Sequence, residues 1–163
     1  MKKIRHINGF DMKNTFRNVA VSVWFQGCEH RCKGCFNPET WKITPESMTT
    51  EEFMEFRKKL QDDGIEKDVS YLGGDPFLPT SRDDFETLLL YVKNFHPNSK
   101  QFAWTGYDFE TLYNLQLPHL NYLDVIVDGK FEQSLKIEDK KYGSSNQRVW
   151  VKEDGFWKIS DKY

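Results

Sequence analysis

The 163-residue chain has only three cysteines, and all of them stand within eight residues, Cys28-Glu29-His30-Arg31-Cys32-Lys33-Gly34-Cys35. An odd number of thiols cannot close completely into intramolecular disulfides, which argues against a disulfide-stapled scaffold. No run of about 18 apolar residues exists, so no membrane-spanning helix is expected. Met1-Lys2-Lys3-Ile4-Arg5-His6 has the positive start of a secretory signal without the apolar stretch that should follow it. Neither end carries a lipidation motif. Free thiols without an export signal point to the reducing cytoplasm. An excess of one charge is missing too: 23 Lys and Arg face 25 Asp and Glu, a formal net charge of −2. That balance argues against a dedicated nucleic-acid binder, whose domain is usually strongly basic. Absent as well are internal repeats, a phosphate loop, a hydrolase triad and a paired general acid and base. Such absences are what is expected where a cofactor carries the chemistry.

What is present is a chain of one domain's length, rich in aromatic residues (13 Phe, 7 Tyr, 5 Trp) and so able to build a packed core. Its charge is uneven. Residues 1–42 carry eight Lys and Arg against three Asp and Glu; residues 43–129 carry seven against sixteen. On charge alone the basic segment around the cysteines reads as a solvated face, with an anionic ligand or a docking surface as the sharper alternative.

Periodicity predicts alternating strands and helices. Val19 to Phe25 is β-branched and aromatic, a buried strand that runs straight into the cysteines. A helix should start at Thr49 or Thr50, with Glu52 in capping-box register, an apolar face of Phe53, Phe56 and Leu60, and a stop at Gly64. Val69 to Leu72 predicts a second strand before Gly73-Gly74-Asp75-Pro76. Ser81 is placed to cap a helix with Phe85, Leu88, Leu89, Val92 and Phe95 on its core side, ended by His96-Pro97. Gln101 to Thr105 predicts a third strand, about 108–115 a short helix, and Leu123 to Val127 a fourth strand leading into Asp128-Gly129-Lys130. The last stretch reads as a β-hairpin turning at Asp154-Gly155. We expect one domain over 1–163, with an α/β core at about 19–130 and an appendage at about 131–163. Four predicted strands each end in a chemically distinctive segment, and in parallel α/β folds such ends form one ligand-binding rim.

Three thiolates from one loop hold a metal yet leave a coordination place unfilled, as an iron–sulfur cluster with an open iron requires. Structural zinc is the serious rival, since His30 lies between the cysteines and could complete a Cys3His set. Zinc sites usually pair ligands from two chain segments, however, and no second Cys/His pair exists. His6, His96 and His119 stand singly and read as surface or packing residues. A dithiol redox pair at Cys32 and Cys35 would leave Cys28 unexplained.

The C-x3-C-x2-C run after a first strand, with a Gly-Gly-acid turn after the second, resembles the radical S-adenosylmethionine superfamily. Gly27-Cys28, Cys32-Lys33-Gly34-Cys35, Phe36-Asn37 and Thr40-Trp41 resemble, more narrowly, the anaerobic ribonucleoside-triphosphate reductase-activating proteins. So do Leu72-Gly73-Gly74-Asp75-Pro76, Trp104-Thr105-Gly106-Tyr107, Asp128-Gly129-Lys130-Phe131 and Gly143-Ser144-Ser145-Asn146-Gln147-Arg148. These blocks span residues 27–148 in the family's order. Asn8-Gly9-Phe10 departs from the family's Asn-Gly-Pro-Gly, and Gly34 from the superfamily's usual aromatic, although this subfamily also carries glycine there.

The resemblance implies an incomplete, TIM-like barrel with a mostly parallel sheet plus the C-terminal hairpin, open at the cluster end. Cys28, Cys32 and Cys35 would hold a [4Fe-4S] cluster whose fourth iron binds S-adenosylmethionine. Gly73 and Gly74 would let the backbone approach the methionine end, with a carbonyl or the Asp75 carboxylate accepting from its ammonium. Gly34, Cys35 and Phe36 would lie beside the adenine, Lys130 would meet the carboxylate, and Asp128 would orient Lys130 or a cation. The implied activity is glycyl-radical formation on the anaerobic ribonucleotide reductase, with a low-potential donor such as flavodoxin and neither nucleic acid nor membrane as partner. Another glycyl-radical enzyme or a small molecule as substrate, an electron carrier and a zinc-stabilised binding module are the alternatives. No role for Gly143 to Arg148 emerges from the residues.

Overall fold

In the computed structural model, which describes residues 2–163, the predicted alternation becomes one open, mixed sheet of seven strands in sequential order. Strands β2 (Ala20–Phe25), β3 (Asp68–Gly73), β4 (Gln101–Trp104) and β5 (Val125–Asp128) run parallel to one another. β1 (Ile4–Asp11) adds antiparallel to β2, and β6 (Arg148–Glu153) and β7 (Phe156–Ser160) extend the other edge antiparallel from β5. The C-terminal hairpin thus continues the main sheet. Its turn at Asp154-Gly155 has φ of 51° and 81°, as a two-residue primed turn demands.

Helices α1 (Thr50–Gln61), α2 (Arg82–Phe95) and α3 (Phe109–Asn114) fill the three parallel crossovers. Their apolar stripes bury Phe56 and Leu60, then Phe85, Leu88, Leu89 and Val92, then Phe109 and Leu112, against Val21, Val23, Phe25, Val69, Tyr71, Ala103 and Ile126 of the sheet. A smaller cluster around Phe102, Val125, Val127 and Val149, covered by Phe16 and Tyr163, is separate from this core. Period-2 alternation of the strands accounts for the division.

α1 starts at the expected capping box. Thr49 Oγ1 accepts from the Glu52 amide at 3.1 Å and Glu52 Oε2 accepts from the Thr49 amide at 2.6 Å. The other Glu52 oxygen takes the Ile4 amide at 3.0 Å, so one buried carboxylate fixes both the helix start and β1. β1 itself is not visible in the periodicity. Register shifts between Ile4 and His6 and between Asn8 and Asp11 break the period of two, and this lets Ile4 and Ile7, three apart, both join the core.

Two expectations at α2 need correction. Ser81 occupies the N-cap position, but its hydroxyl caps nothing, because its backbone already has helical ψ and turns Oγ away from the free amides. Phe95 is 68 % exposed: at the last residue of the helix the stripe has run past the sheet, and the ring stacks on Tyr91 instead.

His119 is a packing residue, buried against Phe77 and Phe85, with Nε2 donating to the Arg82 carbonyl at 2.8 Å. Burial pushes its pKa down, outweighing that bond. A pKa lower in the folded than the unfolded state gives stability that is full above the unfolded value of about 6.5 and is lost as pH falls. The urea midpoint should therefore drop between pH 7.5 and 5.5. His119→Gln, which keeps an amide donor for Arg82 and removes the titration, should flatten that drop; an unchanged slope would show that His119 does not contribute.

Candidate functional site

Every parallel strand delivers its distinctive segment to the same rim. β2 passes through Gln26 and Gly27 into Cys28, β3 into Gly74-Asp75, β4 into Thr105-Gly106, and β5 into Gly129-Lys130. Hydrogen bonds lace these ends together. The Gly74 amide donates to the Phe25 carbonyl and the Asp75 amide to the Gly27 carbonyl, both at 2.8 Å. Thr105 Oγ1 and the Gly106 amide reach the Asp75 carboxylate at 2.9 Å. From β4 to β5 the Thr105 amide donates to Val127 at 2.9 Å and the Gly129 amide to Tyr107 at 3.2 Å.

The cysteine loop is closed at its base by Thr40 and Trp41, whose carbonyls accept from the Gly27 and Cys28 amides at 2.7 and 3.3 Å. Cys28, Cys32 and Cys35 are free and half-buried. The Asn37 amide donates to Cys35 Sγ at 3.3 Å, while the backbone of His30 and of Phe131 works against burial at the Cys28 and Cys32 thiols, pulling their pKa down. Burial pushes the Cys28 thiol up to about 11 and raises Cys32, where the positive charge of Lys130 works in the opposite direction. The free thiols of those two are thus protons to be released on metal binding. Among the described residues no three His, Cys, Asp or Glu side chains converge on a single ion. The loop offers three thiols as donors, and an N–H···S bond such as that of Asn37 to Cys35 is among the levers on the potential of an iron–sulfur cluster.

His30 takes part in no Cys3His set. Its Nε2 lies 2.6 Å from Asp75 Oδ2 and the side chain is almost wholly buried. Asp75 also accepts the Phe77 amide at 3.0 Å, so both carboxylate oxygens are engaged inside the protein. Gly73 and Gly74 likewise answer to the chain itself. At Gly73, with φ of 104°, a Cβ would fall 2.6 Å from the Phe25 nitrogen; at Gly74 it would fall 2.3 Å from the Gly27 oxygen. The glycines let the exit of β3 lie directly on the exit of β2.

Around the loop, Gly34 (φ 77°) lies under Gln133, and Phe36, 65 % exposed, meets Phe131 at a ring distance of 5.2 Å. Lys130 is exposed. Asp128 is buried and held: Arg148 reaches it at 2.5 and 3.2 Å, and its Oδ2 accepts the Phe109 amide at 2.8 Å.

The segment from Gly143 to Arg148, without a role in the sequence reading, is a brace for that last strand end. Asn146 Nδ2 donates to the Lys130 carbonyl at 2.7 Å and Gln147 Nε2 to the Gly129 carbonyl at 3.0 Å. Gln147 Oε1 accepts the Gly143 and Ser144 amides at 3.0 and 3.1 Å, so the turn holds its own shape while gripping its neighbour. Polar residues in a row, two of them primary amides, were the available signal; only the fold shows what they grip. The groove of about 710 Å³ bounded by Tyr113, Leu117, Leu120 and Trp157 contains none of the rim residues.

The strand-end rim carries three free thiols, and residues 16–150 match the family model described as a 4Fe-4S single cluster domain, which makes the class of the protein that of an iron–sulfur domain. Curated relatives narrow this class. The chain is 37 % identical over 139 residues to the anaerobic ribonucleoside-triphosphate reductase-activating protein of Enterobacteria phage T4, covering 85 % of this chain and 87 % of that one. It is 35 % identical over 131 residues to the protein of that name from Vibrio cholerae and 33 % identical over 131 to that of Escherichia coli K12, covering 78 % of this chain and 84 % and 85 % of theirs. The chain belongs to the family of anaerobic ribonucleoside-triphosphate reductase-activating proteins.

Proposed function

We propose that the protein activates an anaerobic ribonucleotide reductase by generating its glycyl radical, using S-adenosylmethionine at a [4Fe-4S] cluster held by Cys28, Cys32 and Cys35. The carrying observation is the cysteine loop: three free, half-buried thiols on the strand-end rim beside the Gly73-Gly74 turn. The bound cluster would supply reductive cleavage of S-adenosylmethionine to methionine and a 5′-deoxyadenosyl radical, which takes a Cα hydrogen from a reductase glycine. The protein's own part is placement. Because Asp75 is saturated by internal donors, backbone carbonyls of the glycine turn are the better acceptors for the substrate ammonium. Lys130, exposed and close enough to Cys32 to act on its charge, is placed for the carboxylate. Phe36 offers an exposed face beside the loop for the adenine. Asp128, committed to Arg148, orients Lys130 only through the backbone between them. We read the sequential sheet, with no reversal of strand order among β2 to β5, as an incomplete barrel whose open side admits a glycine-bearing loop. The relatives' names, which state activation of the anaerobic reductase, support that enzyme as the partner.

The test is electron paramagnetic resonance after anaerobic reconstitution. Reduced protein mixed with the anaerobic reductase and S-adenosylmethionine should give a glycyl-radical doublet. A reduced cluster whose spectrum ignores S-adenosylmethionine would instead mark an electron carrier, and zinc at full occupancy without iron a binding module.

A further inference from the structure

His30 lies inside the cysteine loop, yet every contact recorded for its ring points to strands β3 and β4. Nε2 faces Asp75 Oδ2 at 2.6 Å, and because a carboxylate only accepts, the ring donates from Nε2. Tyr107 packs edge-on against the imidazole at 4.6 Å, and its hydroxyl bonds Glu29, the residue before His30. Gly106 lies so close beneath the ring that a Cβ there would fall 2.5 Å from Cδ2. Asp75 is in turn fixed by Thr105, Gly106 and Phe77. Of the side chains in the cysteine loop, His30 alone has a recorded hydrogen bond to the Gly73-Gly74-Asp75 turn.

We propose that His30 is a positioning residue: its bond to Asp75 locks the cysteine loop at a fixed distance from the glycine turn, and this spacing sets the affinity for S-adenosylmethionine. The inference rests on the proposed function for its ligand. The cluster and the glycine turn would both grip the methionine end of one small molecule, so an error in their spacing weakens the ligand without displacing the sulfurs. A buried hydrogen bond between a ring N–H and a carboxylate is among the stronger kinds in proteins. No other side chain of the loop bonds that turn; Glu29 ties the loop instead to Tyr107 at the exit of β4.

Three variants test this: His30→Ala, His30→Gln, whose amide nitrogen reaches about as far as Nε2, and Asp75→Asn. In His30→Ala, iron content after anaerobic reconstitution should match the parent, while the dissociation constant for S-adenosylmethionine, read from the spectrum of the reduced cluster, rises about tenfold. His30→Gln should stay within about threefold of the parent, and Asp75→Asn combined with His30→Ala should be no worse than the poorer single variant. Amide exchange of residues 28–35 in the cluster-free protein supplies a readout without ligand: His30→Ala should speed it about tenfold and His30→Gln should not. Parental affinity and exchange in His30→Ala, additive effects in the pair, or loss of the cluster would each overturn the proposal. A parent protein that ignores S-adenosylmethionine would sink the proposed function, and the exchange rates would still decide whether the lock exists.

Discussion

Arg148→Ala should lower the unfolding free energy by about 3 kcal/mol, because it strands a buried carboxylate without its cation. Asp128 is 1 % exposed, and the Arg148 guanidinium holds both of its oxygens across the β5–β6 ladder. The same guanidinium forks onto Glu110 at 2.6 and 2.8 Å and lies over the Trp150 ring. The two acids are not equal. Glu110 is more than half exposed, and although Arg148 holds its carboxyl down at about 2, solvent screening leaves Glu110→Ala a cost of about 0.5 kcal/mol. Removing Asp128 and Arg148 together should cost clearly less than the sum of the single changes, since the stranded charge goes with its partner. Urea denaturation of the four variants measures this. The consequence for the rim is specific: the strand end that Arg148 steadies leads to Phe131, whose backbone lowers the Cys32 thiol pKa, so amide exchange at 129–131 should rise in Arg148→Ala. A parental urea midpoint would show that the network contributes nothing.

How far this site could be read beforehand follows from which interactions are local. The cysteine loop, the capping box at Thr49 and Glu52, and the Asp154-Gly155 turn are set by residues a few positions apart, and their spacing exposes them. β1 escaped because its bulge spoils the one periodicity a strand has. Asp75 and Asp128 sit where a ligand-binding acid is expected, after strands and beside glycines, but their partners lie 45 and 20 residues away. A sequence places an acid at a rim without showing whether its oxygens are already taken. His30 illustrates the same limit from the other side. Its position between cysteines advertises a metal ligand, while its actual partner belongs to another strand. Phe95 and Ser81 depart from their expected roles for a smaller reason: at helix ends a stripe or a cap depends on where the backbone turns.

Gly74→Ala is expected to damage the cluster site more than any other single methyl group. The added carbon would lie 2.3 Å from the Gly27 oxygen and 2.8 Å from its carbonyl carbon, both backbone atoms that no rotamer change can move. That carbonyl also accepts the Asp75 amide, and Gly27 is followed directly by Cys28. Relief therefore requires the exits of β2 and β3 to separate, taking Cys28 away from the rim. Overpacking of this kind costs about 3 kcal/mol. Gly73→Ala adds a positive φ of 104° to a 2.6 Å approach to Phe25 and should cost about 4 kcal/mol, a large part of a small domain's stability. The two variants separate stability from placement. Gly73→Ala should unfold early in urea. Gly74→Ala, folded at low temperature, should take up iron poorly, because Cys28, one of the three proposed ligands, is displaced by the backbone that carries it. Iron per chain and the urea midpoint, measured on the same preparations, decide the matter. If Gly74→Ala binds a full cluster at the parental midpoint, the close contact between Gly74 and Gly27 does not hold Cys28 in place, and the glycines serve only the approach of a ligand.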